Sequence, residues 1–376
     1  MVSPMKYFAA MPDHRHPSYI THPLSTIVGV TIAAVICGAE DWYDVEDYGW
    51  EKKEWLGQFL DISGGIPSHD TFNLFFQRAD AKALEGCFQN WVREVVSLCE
   101  GRIISIDGKT LKGSSATKET GSFIHMVSAW CAENHLVLGQ QKVSEKSNEI
   151  TAIPALLELV VVKGCLVTID AMGCQIKIAE KIVEKEADYL FAVKENQEVL
   201  LDDIKEAFAC TPAKDSYKAS EVGHGRVETR LTSVIEDVEW ICRKQEWKNL
   251  SSLLKVECTR YDKKTTKEES AVRYYISSKR ASARYFQEAV RTHWQVENNL
   301  HWTLDVIFSE DDSKKQAGNA AQNFSLISKI ALNMIANHKD INNRGAKKIS
   351  AKRKRKMAGW NNDYLLEILL TLNYST

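Results

Sequence analysis

Apolar residues recur with a helical period through the first hundred positions. Pro23 opens a run from Leu24 to Ala39 that is apolar nearly throughout, and a second helix is predicted from Glu46 to Phe59. The stretch Gly64-Gly65-Ile66-Pro67-Ser68 reads as a loop, with Ser68 or Asp70 capping the next helix. Phe72, Phe75, Phe76 and Ala79 keep helical spacing, as do Leu84, Phe88, Trp91, Val92, Val95 and Val96. Residues 1–98 are therefore expected to form a small helical domain. At Arg102 the period changes. Ile103 to Ile106 is a short β run ended by Asp107-Gly108, and Phe123 to Cys131 and His135 to Val143 are two further strands joined by Glu133-Asn134. Together they suggest a three-stranded antiparallel meander.

Strands and helices alternate from there. Helices are predicted at Glu149 to Val161, Gln175 to Glu186 and Glu198 to Phe208, with strands at Cys165 to Asp170 and Tyr189 to Val193 between them. Such alternation builds parallel strand pairs with helical crossovers. Residues 211–280 break the scheme, with strands at Val227 to Val234, Leu253 to Tyr261 and Val272 to Ser277. Helices return at Ser282 to about Leu304 and at Asn319 to Asn337. A meander followed by β-α-β-α is the order of the ribonuclease-H-like fold. The expected class is α/β: a mixed sheet flanked by helices, with a β-rich insertion at about 211–280. The catalytic domain is expected to span 99–345, and a basic segment 346–376.

Composition changes this picture little. The chain has 376 residues, 44% hydrophobic and 26% charged, which suits a globular protein. The Leu24 to Ala39 run is interrupted by Ser25, Thr26, Gly29 and Thr31, so a buried core helix is expected rather than a membrane span. With no signal-peptide pattern, a cytoplasmic location is expected. Nine cysteines lack any C-x-x-C pair and are expected to be reduced and mostly buried.

Charge distribution says more than the net −2. Residues 1–100 carry 7 Lys/Arg against 14 Asp/Glu, a net of −7, whereas residues 313–376 carry 12 against 3, a net of +9. The asymmetry suggests a basic surface for a polyanion, densest at Lys352-Arg353-Lys354-Arg355-Lys356. A solvated basic tail would look the same.

Three acids stand where chemistry is plausible. Asp107 and Asp170 each end an apolar strand, and ligands of α/β sheets gather at such carboxyl ends. Asp-Gly is also an ordinary turn pair. Glu297 lies mid-helix, sharing a face with His293 and His301 at four-residue spacing. Most helix glutamates are merely solvated. Trp294 and Trp302 are expected to pack this helix on the core, leaving the His/Glu face toward a cleft. Zinc lacks support, because H-E-x-x-H is absent. Three carboxylates suit two Mg²⁺ or Mn²⁺ ions and phosphoryl transfer. No Walker phosphate loop or G-x-S-x-G elbow is present.

The segments Ile106-Asp107-Gly108-Lys109-Thr110-Leu111-Lys112-Gly113-Ser114, Thr168-Ile169-Asp170-Ala171-Met172-Gly173-Cys174-Gln175 and His293 through Trp302 resemble the catalytic blocks of H-repeat-associated insertion-sequence transposases, members of the DDE superfamily. Glu145 to Pro154, His224-Gly225-Arg226 and Gly318-Asn319-Ala320-Ala321 resemble them too. Three positions depart from the pattern: Glu195 stands where relatives usually carry Gly, Lys112 where Arg is common, and His293 where distant DDE enzymes place Arg. The resemblance implies that Asp107, Asp170 and Glu297 bind the metals and catalyse DNA cleavage and joining. Lys109, Lys112, Lys194, Arg226, Arg291, His293 and His301 are the expected DNA contacts. The expected partner is double-stranded DNA, bound as a homodimer, with no membrane role. A metal-dependent nuclease or resolvase, and a catalytically silent DNA-binding remnant, are the alternatives.

Overall fold

A computed structural model of the chain describes residues 5–95, 99, 101–114, 123–144, 148–223, 225–339 and 349–370. In chain order its helices begin with α1 (Met5–Phe8), α2 (Leu24–Cys37), α3 (Trp42–Glu51), α4 (Lys53–Leu56), α5 (His69–Arg78) and α6 (Ala81–Val95). Strands β1 (Ile103–Leu111), β2 (Ile124–Cys131) and β3 (Leu136–Lys142) follow. Next come α7 (Glu149–Leu159), β4 (Leu166–Ile169), α8 (Ile176–Glu184), β5 (Asp188–Val193) and α9 (Glu198–Cys210). Four long strands are next: β6 (Asp215–Gly223), β7 (Arg226–Ile235), β8 (Ser252–Asp262) and β9 (Glu268–Ser277). The chain ends with α10 (Ala283–Gln295), a π-helical turn (Val296–His301), α11 (Trp302–Ile307), α12 (Ala320–Asn337), α13 (Ala351–Trp360) and α14 (Asn362–Leu370). The strands run in the order β3-β2-β1-β4-β5-β9-β8-β7-β6, a mixed sheet flanked by helices.

The chain divides into two compact units that do not follow its linear order. The first comprises residues 1–98, 108–145 and 297–376; the second comprises 99–107 and 146–296. In the first unit, α2 and α12 are buried on nearly every side; α2 is apolar nearly throughout, whereas α12 also buries Asn323, Ser325, Lys329 and Asn333. Among the described residues no single helix is long and apolar enough to cross a membrane. Ser68 caps α5 through its hydroxyl, and Asp41 and Asp44 form a capping box at α3. Trp42 stacks on Phe76 at 5.1 Å and meets Phe324 of α12 edge-on at 5.3 Å. The helices before β1 thus share one core with α12.

In the second unit β1, β4 and β5 are parallel, and β9 pairs antiparallel with β5. The β-rich segment after residue 211 continues the same sheet: β9, β8, β7 and β6 extend it beyond β5. Helix α10 lies on it, burying Ala283, Phe286, Ala289 and Val290 against Ile103, Leu166, Leu190, Val234 and Leu254. The sequence reading missed β6, whose Asp-Ser-Tyr-Lys-Ala-Ser-Glu-Val-Gly is mostly exposed and carries almost no apolar signal. Its backbone is ordered by nine register pairs with β7, and those pairings do not depend on apolar side chains.

Candidate active site

Asp107 and Asp170 follow the last register pair of adjacent parallel strands, in which Ile106 faces Ile169 and Ser105 faces Thr168. Alternation along a strand puts Ser105 on the same face as Asp107, and Thr168 on the same face as Asp170. Both aspartates are half-buried. The Asp170 carboxylate is fixed by its own turn, since Oδ1 accepts the Met172 and Gly173 N–H groups at 3.1 and 3.2 Å. Only glycine fits at 173, where a Cβ would lie 2.2 Å from Ile169 Cγ2. Asn196 Nδ2 donates to Ala171 O at 2.8 Å and Gln197 Nε2 to Cys174 O at 2.9 Å, which locks this turn.

On the same face, His293 of α10 bonds through Nδ1 to Thr168 Oγ1 at 3.0 Å, and Thr168 Oγ1 donates to Ser105 Oγ at 3.2 Å. Burial pushes the His293 imidazole down to about 4, against the opposing pull of Asp170. It is a neutral hydrogen-bonding group at pH 7. Arg291 is exposed and ion-paired with Glu221. Lys194 is exposed, and Arg226 pairs with Asp262 at 3.2 Å beside a left-handed Gly225.

Within the first unit, Glu297 is exposed on the π-helical turn. Such turns insert one residue into a helix and are frequent at functional sites. The buried residues of this segment are Val296, Leu300 and Leu304, four apart, whereas Trp294 and Trp302, expected to pack on the core, are 41% and 53% exposed. Arg273 instead covers the Trp294 ring at 5.2 Å. His301 is half-buried, and burial pushes its imidazole down to about 4, helped by the positive Lys109 and Lys329.

Lys109 is mostly buried among Asp305, Glu310 and Asp311, acids the sequence reading did not single out because Glu310-Asp311-Asp312 looks like a solvated loop. Lys112 is exposed and pairs with Asp311 at 2.7 Å. Gly113 must be glycine, because a Cβ there would meet Ser313 O at 2.1 Å. The 352–356 basic block is split. Lys352, Arg353 and Lys356 are exposed, but Lys354 is buried, its Nζ donating to Ile335 O at 3.1 Å and His338 O at 2.5 Å. Arg355 is buried too, donating to Val35 O at 2.9 Å. These two satisfy carbonyls near the C-terminal ends of α12 and α2, so only three of the five face solvent. The resemblance at 145–147 and at His224 lies outside the described residues.

All nine cysteines are free; five are buried, and Cys210 and Cys242 are exposed. Among the described residues no three His, Cys, Asp or Glu side chains are gathered as a metal site. The register-adjacent Asp107 and Asp170 nonetheless present carboxylate oxygens, the donors that Mg²⁺ and Mn²⁺ prefer.

Residues 5–92 match the family described as DDE_Tnp_1-associated, and residues 99–334 match that of the transposase DDE domain. The chain belongs to the DDE transposase family. Its relatives place it among the H-repeat-associated members. It is 44% identical over 371 residues to the putative transposase YncI of Escherichia coli O157:H7, covering 97% of this chain and 94% of that one. It is 42% identical over 373 residues to the H repeat-associated putative transposase YhhI of Escherichia coli strain K12, covering 97% of each. A cryo-EM structure of the piggyBac transposase synaptic complex with hairpin DNA aligns at 11% identity and TM-score 0.40, covering 99% of this chain and 83% of that one.

The two depressed histidines predict how stability depends on pH. Their folded-state values near 4 lie below the unfolded value of about 6.5. As pH falls below about 6.5 the unfolded chain takes up protons first, so stability present at pH 7 is lost toward pH 4, by up to about 1.4 kcal/mol per pH unit for each histidine. Thermal melts between pH 7 and 4.5 should show a shallower decline for His293→Asn/His301→Asn than for the unaltered protein. Identical pH slopes would contradict the assignment.

Proposed function

We propose that this transposase-family protein cuts DNA at the ends of a mobile element and joins the freed 3′ ends to target DNA, using Asp107, Asp170 and Glu297. The observation that carries the reading is the adjacent placement of Asp107 and Asp170, each directly after the last paired residue of neighbouring parallel strands, in a chain whose residues 99–334 match the transposase DDE domain. Asp107, Asp170 and Glu297 would hold two divalent ions, Mg²⁺ or Mn²⁺, which would supply an activated attacking oxygen and charge stabilisation for the leaving one. Asp170 is pre-set for ligation by its two backbone N–H bonds. His293 keeps the strand-end hydroxyls of Thr168 and Ser105 in place without adding positive charge. Exposed Lys112, Lys194, Arg226 and Arg291, with Lys352, Arg353 and Lys356, contact phosphates, so binding weakens steeply with salt.

In the first step water attacks the phosphorus at the element end and the bond to the 3′ oxygen breaks, leaving a 3′-OH. In the second, that 3′-OH attacks a target phosphodiester, forming a new P–O bond as the target's own 3′ oxygen departs. A homodimer would bring two ends to one target. The test supplies a pre-cleaved duplex copied from the DNA flanking the gene, a target plasmid and Mn²⁺. Joined product is expected. Cleavage of uncut ends without joining would make the protein a nuclease or resolvase, and metal-independent binding with no turnover would make it a silent remnant.

A further inference from the structure

Lys109 lies two residues beyond Asp107 on β1. Its side chain is only 11% exposed, and its ammonium contacts Asp305, Glu310 at 2.6 Å and Asp311 at 3.5 Å. An ammonium has three N–H donors; two are taken by Asp305 and Glu310, and Asp311 stands within ion-pair range. Glu310 is itself buried, and its other oxygen accepts from Ser325 Oγ at 2.7 Å. The buried Lys329 ammonium donates to that same Ser325 Oγ at 3.1 Å and to Gln140 Oε1 at 2.6 Å. Lys112 neutralises Asp311 from the solvent side. The cluster thus sets Lys109, Lys112 and Lys329 against Asp305, Glu310 and Asp311, three charges of each sign.

A lysine that binds phosphate must keep donors and net positive charge for it. Lys109 is mostly buried, two of its donors are taken, and its charge is matched by the carboxylates around it. Its partners are Asp305 on α11, which continues the π turn that begins beside Glu297, and Glu310 and Asp311 in the turn that follows. We infer that Lys109 serves DNA cleavage as a positioning residue: it grips α11 and the turn after it, holds the far half of β1 and with it Asp107 two residues back on the same strand, and contacts no phosphate. This rests on the proposed catalytic role of Asp107. Displacing a catalytic group by about 1 Å can cost on the order of 10²-fold in rate.

The test compares full-length Lys109→Met, Lys109→Arg, Glu310→Gln, Lys109→Met/Glu310→Gln and Asp107→Asn. Each is assayed for Mn²⁺-dependent cleavage of, and salt-dependent binding to, a duplex copied from the flanking DNA. Lys109→Met is expected to lower kcat about 100-fold while KM, affinity and the slope of log affinity against log salt stay unchanged. Lys109→Arg should recover part of the rate. Glu310→Gln should reproduce the loss, and the double variant should be no worse than Lys109→Met, because both changes remove the same contact. A fall of about 0.9 in the salt slope of Lys109→Met, the signature of one lost phosphate contact, would overturn the inference. So would cleavage by Lys109→Met at the unaltered rate while Asp107→Asn is inert. Should Asp107→Asn itself cut at the unaltered rate, the catalytic reading fails with it.

Discussion

Alanine at Asp107, Asp170 or Glu297 is expected to reduce Mn²⁺-dependent cleavage about 10³-fold or more, equivalent to roughly 4 kcal/mol of lost transition-state stabilisation. DNA binding should stay within a factor of about three, because affinity for DNA comes mainly from Lys and Arg contacts to phosphate. Asp170→Ala should give the cleanest result. Its carboxylate is seated by its own Asx turn, and Gly173 and Asn196 would continue to shape that turn. Gel-based cleavage of a supercoiled plasmid carrying the flanking DNA measures the rate, and fluorescence anisotropy measures binding. Near-normal cleavage by any of the three variants would remove that residue from the assignment.

The largest stability effect is expected at Glu310. Its carboxylate is buried and accepts from Lys109 and Ser325, with the Lys329 charge nearby. Burial alone would raise its pKa, but Lys329 and Lys109 outweigh that and hold it below the usual carboxylate range. Glu310→Ala leaves two buried ammoniums undercompensated, and removing one partner of a buried pair costs about 3–5 kcal/mol. Asp312→Ala, two residues on and exposed, should change stability by no more than about 0.5 kcal/mol. Urea denaturation followed by tryptophan fluorescence separates the two. Equal midpoints would show that the cluster is solvated rather than a buried ionic lock.

Much of the fold was legible because its signals are local. β1, β4 and β5 are short apolar runs, and α10 and α12 carry regular apolar spacing, so pattern alone found them. That the β-rich segment joins the main sheet was not legible, because strand pairing is non-local: nothing in Glu268 to Ser277 announces that Tyr274 to Ser277 will pair with Leu190 to Val193. Asp170 was legible as a strand-end acid; Asp107 was legible as the acid closing an apolar run, although β1 continues past it to Leu111. Glu297 was not, since nothing in helical spacing separates it from the many helix glutamates that are merely solvated. The basic block misled for a related reason. Charge counts see Lys354 and Arg355 but not the carbonyls that they cap.

Cysteine in place of Asp170 tests the central claim most directly, because a thiolate is a poor ligand for Mg²⁺ and a better one for softer metals. Cleavage by Asp170→Cys is measured side by side in Mg²⁺ and Mn²⁺ against the unaltered protein. If Asp170 holds a catalytic metal, activity should be lost in Mg²⁺ and partly restored in Mn²⁺. Cleavage at the unaltered rate in Mg²⁺, or an equal loss in both metals, would contradict metal ligation by Asp170.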